Sequence, residues 1–242
     1  MLLEATGWAT VGAIVQALGT IPSLYAAQKD PKNRLYYGVL AAITGIAAVA
    51  YTFTALEIGT IAVGDATFYT SRYVDWLLTT PLILLFLAML GRTGRGSILR
   101  LVVVAVALLL LGAVAIALTG PIRWAAFAGG VGCFGVLVYD LYVRIPRLAT
   151  FSNERTRILF ITLRNLTIAL WTLYLVVWLL APAGIGLLTR DMAMLVGAHL
   201  DLTSMGAFVA LAVDGTDAIG GADRSVTGPV TADHGALTTP DR

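Results

Sequence analysis

Long apolar runs separated by short polar links set the pattern of this chain. Windows of about 20 residues, the length that crosses roughly 30 Å of hydrocarbon at 1.5 Å per residue, select seven segments: 3–26, 34–57, 70–90, 97–119, 121–143, 156–180 and 191–213. The links are short and rich in turn residues: KDPKNR follows the first segment, GRTGRG the third, TGP the fourth and APAGIG the sixth. Such connections predict an all-α, up-and-down bundle of seven transmembrane helices with sequential helices side by side. The first segment lacks a basic leader and a small-residue cleavage site, so it is expected to be a retained span.

Composition supports a membrane protein, since 58% of the residues are hydrophobic and 12% charged, against about 45–50% apolar in soluble domains. A single cysteine, Cys133, excludes an intramolecular disulfide. The basic residues are clustered in the links, which gives no continuous basic face, so no nucleic-acid partner is expected. Lys29, Lys32, Arg34, Arg92, Arg95, Arg100, Arg144, Arg147, Arg155 and Arg157 fall at one end of the bundle, against Arg123 and Arg190 at the other. That asymmetry predicts a cytoplasmic basic end, an external N-terminus and a cytoplasmic C-terminus. Residues 214–242, rich in Gly, Asp and Thr, read as a disordered acidic cytoplasmic tail outside the membrane domain of residues 1–213.

Ionisable residues inside hydrocarbon cost several kcal/mol, so each is a functional candidate with a partner to be named. Arg72, Asp75 and Thr79 recur at i, i+3 and i+7 in RYVDWLLTTPL, on one helical face, and Pro81 leaves a carbonyl one turn earlier without its donor. Asp201 in the seventh segment should meet this cluster if both face the bundle interior. Met205 lies one turn from Asp201 on the same face, whereas His199 and Thr203 point away, toward a neighbouring helix or a partner protein. Trp171, Tyr174 and Trp178 form a stripe on the sixth segment, read as core packing, an interfacial belt or a ligand wall. It spans about 10 Å of helix, which a belt at one depth explains poorly. The GGVGCFG run, Gly129 to Gly135, permits close helix packing or leaves room for a rigid ligand.

RYVDWLLTTPL, RNLTIALWTLYLVVWLL and LDLTS, in this order within seven spans, resemble the archaeal microbial rhodopsins. GIAAVAY and RNLT are similar to the sensory rhodopsin II branch of that family. The resemblance implies a protonated retinal Schiff base on a seventh-helix lysine. It makes Asp75 and Asp201 the counterions, balanced by Arg72, with Tyr51, Tyr174 and Thr79 in the same network. Trp76, Trp171 and Trp178 would sandwich the polyene, and Gly112, Phe127 and Gly130 would line its ring end. Phe86 stands where the family's pumps carry a proton-donating carboxylate, which implies a sensor.

Two positions depart from the motif, the first decisively. The family's lysine falls four residues after the helical aspartate, and that position here is Met205. Lys29 and Lys32, both in the link after the first segment, are the chain's only lysines. A Schiff base needs a primary amine, which arginine does not offer. The proline usual after the sixth-helix tyrosine is replaced by Leu175. Without the imine, Arg72 alone faces two carboxylates, leaving one negative charge for a shared proton, a cation or ordered water to meet. The expectation is a non-photochemical opsin with no covalent cofactor, whose role is light-independent signalling, modulation of a partner, or noncovalent binding of retinal or another polyene. A retinal-based phototaxis receptor that lost its lysine by mutation and signals to a transducer is the alternative. An ion channel or transporter is a weaker one, because Phe86 interrupts a polar path. The bilayer, a membrane transducer or another rhodopsin are the expected partners, a homo-oligomer stays open, and nothing in the pattern suggests an enzyme.

Overall fold

The computed structural model describes residues 5–63 and 66–220. Among them, seven helices are long and apolar enough to cross a membrane. They are α1 (Ala5–Lys29), α2 (Arg34–Ala55), α3 (Thr70–Leu90), α4 (Arg95–Ala117), α5 (Pro121–Leu148), α6 (Glu154–Leu180) and α7, whose sections are Arg190–Asp201, Leu202–Ala207 and Phe208–Gly220. Hydrocarbon offers the backbone no hydrogen bonds, so each apolar run closes its own ladder as a helix. Helix starts carry local signals. Gly120, at φ 69°, turns the chain into Pro121 at the first position of α5. Asn153 caps α6 through a bond from the Thr156 amide at 2.8 Å, and Thr189 caps α7 through the Met192 amide at 3.3 Å.

Sequential helices pack together from α1 to α5, α6 packs on α3 and α7, and α7 returns to α1 and α2 to close the bundle. Large apolar side chains face outward along the spans, among them Leu99, Val103 and Leu110 of α4 and Leu173 and Val176 of α6. A soluble protein would bury such a surface, whereas a bilayer solvates it. The dry interior concentrates toward the end bearing the basic links, where Leu40, Leu84, Phe86, Leu87, Leu137, Phe160 and Phe208 are all buried. Phe86 makes edge contacts with Tyr36 and Phe208 in that layer.

Three features depart from the hydropathy reading. The α2–α3 link holds an antiparallel hairpin of β1 (Thr60–Val63) and β2 (Ala66–Tyr69), with Thr60 opposite Tyr69. Arg190 donates to the Tyr69 hydroxyl at 3.1 and 3.0 Å and so fastens the hairpin to the start of α7. Two helices also contain π turns, Asp140–Arg144 in α5 and Leu202–Ala207 in α7. Finally, α7 runs on to Gly220, past residue 213, because Val213 to Gly220 continues the helix despite its polar composition. The expected tail beyond that point, 221–242, lies outside the described residues.

Candidate functional site

The polar face of α3 and the middle of α7 meet inside the bundle. Arg72, 4% exposed, lies between two carboxylates. Its Nη1 donates to Asp75 Oδ2 at 2.6 Å and its Nη2 to Asp201 Oδ2. Asp201 gathers further donors. The Tyr51 hydroxyl donates to Oδ2 at 2.5 Å, the Tyr174 hydroxyl to Oδ1 at 2.5 Å, and Trp76 Nε1 to Oδ1 at 3.3 Å. A carboxylate with four donors is fully solvated by protein, which offsets its removal from water. Asp75 is treated differently, since its Oδ1 is buried with no hydrogen-bond partner among the described residues. Counting formal charges, one arginine against two carboxylates leaves one excess negative charge if both are ionised.

Packing holds these groups in place. The Arg72 guanidinium lies 3.9 Å from the Tyr51 ring centroid and 5.3 Å from that of Trp76, both in cation–π range. Gly12 of α1 lets Tyr51 approach, because a Cβ there would stand 2.7 Å from the ring. The π turn after Asp201 loosens the helical ladder, and the Asp201 carbonyl accepts side-chain bonds from Gln16 Nε2 and Ser204 Oγ, each at 3.4 Å.

Beside this cluster lies a cavity of about 310 Å³, at the lower end of the ligand-pocket range. Its wall includes every residue the sequence assigned to a polyene slot: Trp76, Trp171, Tyr174, Trp178, Gly112, Phe127, Gly130 and Met205. Trp178 stacks on Phe127 with centroids 4.2 Å apart and a 10° interplanar angle, and Trp76 meets Tyr174 edge-on. A Cβ added at Gly112 would touch nothing within 4 Å, so the glycine contributes open space. Met205 is 3% exposed, on the wall shared with Asp201 and Ser204. Leu175, where a proline was expected, lines the cavity too.

Other predicted residues fall outside the wall. Thr79 is buried, but its hydroxyl bonds the Asp75 backbone carbonyl at 2.9 Å, not the carboxylate and not the Leu77 carbonyl freed by Pro81. This is the usual habit of a helical threonine, whose hydroxyl reaches the carbonyl four residues back, and Thr80 lines the cavity instead. His199 and Thr203 are exposed, as their helical phase predicted, and border a groove with Trp8, whose ring lies 5.3 Å from the imidazole. Lys29 lies at the basic end of α1, its Nζ 4.4 Å from the Tyr25 ring.

Two of the buried polar groups that escaped the sequence reading tie α7 and α5 to their neighbours. Gln16 is one, a lone amide in an apolar segment. The other is Asp140, 1% exposed in the α5 π turn and bonded at 2.7 Å to Arg100 Nε of α4. Their only signal is a polar letter within or at the edge of a hydrophobic run.

Seven membrane helices around an aromatic-lined cavity, with an arginine bridging two carboxylates at its wall, define a class: a membrane helix bundle with an internal, mostly apolar pocket. The family model described as bacteriorhodopsin-like protein matches residues 4–219, and the chain belongs to that family. Sensory rhodopsin-2 of Halobacterium salinarum is 46% identical over 239 residues, covering 99% of each chain. Sensory rhodopsin-2 of Natronomonas pharaonis is 35% identical over 205 residues, 84% of this chain and 86% of the relative. Among solved structures, thermophilic rhodopsin from Rubrobacter xylanophilus superposes with a TM-score of 0.85 at 30% identity, covering 91% of this chain and 99% of that one. This chain is therefore a multi-pass cell-membrane protein of microbial rhodopsin type, similar to the sensory rhodopsins.

Proposed function

We propose that this protein is an opsin without covalent photochemistry, whose pocket holds retinal or another polyene noncovalently while its signalling or partner modulation runs independently of light. The observation that carries this reading is Met205, a buried thioether on the cavity wall beside Asp201. A covalently bound retinal does not fit these residues, because the cavity wall has no primary amine and Lys29 lies at the basic end of α1. The polyene slot itself is retained: the aromatic walls suit a flat apolar chain, and methionine fills irregular apolar space well. The exposed His199 and Thr203, beside Trp8, are the face we assign to contact with a membrane transducer or another rhodopsin. We place the N-terminus outside and the basic end in the cytoplasm, following the distribution of Arg and Lys.

A second reading, a phototaxis receptor that lost its lysine, is favoured by the excess negative charge and the unpartnered Asp75 Oδ1, which leave a place for a cationic group. The first reading is tested by a titration of the purified protein with all-trans-retinal, followed by tryptophan fluorescence. At about 0.3 kcal/mol per heavy atom, the roughly 21 atoms of retinal give about 6 kcal/mol, a Kd of tens of micromolar. Saturable quenching in that range, with the retinoid recovered unmodified by solvent extraction, is expected. An adduct that borohydride fixes to the chain would contradict the first reading.

A further inference from the structure

We infer that the outer seam between α5 and α6, near the basic end, binds the headgroup of an anionic phospholipid through Arg164, Asn165 and Tyr142.

Arg164 lies ten positions into α6 from Glu154, about 15 Å along the helix, which brings it level with Tyr142 of α5. No carboxylate pairs with it among the described residues, where Arg72, Arg100 and Arg157 form the arginine ion pairs. The guanidinium is nonetheless held. Its Nε and Nη2 donate to Asn165 Oδ1 at 3.1 and 2.9 Å, and its Cζ lies 4.0 Å from the Tyr142 ring centroid. The Tyr142 hydroxyl donates to the same Oδ1 at 3.0 Å. Of the five N–H groups of arginine, two are used, so three stay available on a cation that is already oriented. A cation held in place with free donors calls for an anion, and its planar fork suits phosphate.

Depth selects a lipid over a partner helix. Tyr142 sits in the α5 π turn only two residues before Arg144, about 3 Å along the axis, where the basic end begins. That is the level of the headgroup boundary, and basic pockets between helices there are the usual seat of acidic lipid heads. An acyl chain has room beside it. Tyr139, Gly135 and Gly132 continue the face of α5 that carries Tyr142, and a Cβ added at either glycine meets nothing within 4 Å. Leu173 and Val176 of α6 are exposed in the same direction along the span, away from the basic end. Head and furrow together match an amphiphile.

The test is native mass spectrometry of the delipidated full chain in mild detergent, with dioleoyl phosphatidylglycerol or dioleoyl phosphatidylcholine added. Retention of one phosphatidylglycerol at least about tenfold above phosphatidylcholine is expected. Arg164→Gln should reduce it to the phosphatidylcholine level, and Arg95→Gln, an equal charge change on α4, should leave it intact. Gly135→Leu, which fills the furrow without touching the charge, should also lose retention and serves if Arg164→Gln fails to fold. Equal retention of the two lipids, unchanged retention in Arg164→Gln, or an equal loss in Arg95→Gln would each overturn the assignment.

Discussion

Replacing Asp201 by asparagine should cost far more stability than replacing Asp75, although each change removes one carboxylate from the same arginine. Asp201 Oδ1 accepts from Tyr174 and Trp76, and Oδ2 from Arg72 and Tyr51. Whichever way the new amide turns, its NH2 faces two donors that have lost their acceptor. A hydrogen bond to a charged acceptor contributes about 1.5–3 kcal/mol, so the two together are worth about 3–6 kcal/mol. Tyr174 can recover part by turning to Ser204 Oγ, 3.5 Å away, which brings the expected loss to about 3–5 kcal/mol. Asp75→Asn keeps an oxygen for the single Arg72 Nη1 bond, puts its NH2 where Oδ1 has no partner, and leaves Arg72 balanced by Asp201. Its cost should stay below about 1 kcal/mol. Unfolding by SDS in bicelles, followed by tryptophan fluorescence, measures both. A gap of about 3 kcal/mol is a factor of roughly 150 in the unfolding constant. Equal losses, or a larger loss for Asp75→Asn, would refute the claim that Asp201 is the carboxylate the fold is built around.

Gly12→Ala puts a methyl 2.7 Å from the Tyr51 ring. The same unfolding assay should show a loss of about 1–3 kcal/mol, less than additive with Tyr51→Phe because both act on one contact. Arg100→Leu leaves the buried Asp140 carboxylate without its partner and should lower the unfolding midpoint, while Arg100→Leu with Asp140→Leu should recover most of the loss. A double variant no better than the single one would show that the ion pair is not what Asp140 needs. Trp178→Ala removes the ring stacked on Phe127 in the cavity wall, so the retinal titration should weaken by about tenfold, the loss of a 1–1.5 kcal/mol ring contact. An unchanged Kd would place the polyene elsewhere.

The membrane makes much of this fold legible. Because hydrocarbon forces each apolar run into a helix, the 70–90 window coincides with α3, and the 156–180 window misses only the capping turn of α6. Charges inside those runs are as readable as the runs themselves, which is why the sequence alone pairs Arg72 with Asp75 and Asp201. What escapes is whatever depends on backbone detail or tertiary direction. The hairpin at Thr60–Tyr69 is stabilised by its anchor on Arg190, which no local pattern announces. The π turns carry no residue signature, yet one of them sets the phase of Met205 and the other carries Asp140. Asp140 sits at the edge of an apolar run, where a carboxylate normally reads as interfacial, and only packing against α4 reveals it as buried. Thr79 had the right helical phase, but its hydroxyl went to the nearest carbonyl.

The central claim rests on Met205, and visible absorption tests it most directly. All-trans-retinal is added to the purified protein and to Met205→Lys, and each spectrum is read before and after acid denaturation. The account predicts that the unaltered protein develops no red-shifted band attached to the chain, while Met205→Lys forms one, with the lysine placed beside Asp201 in an intact aromatic cavity. A strong red-shifted, chain-attached band in the unaltered protein would contradict it.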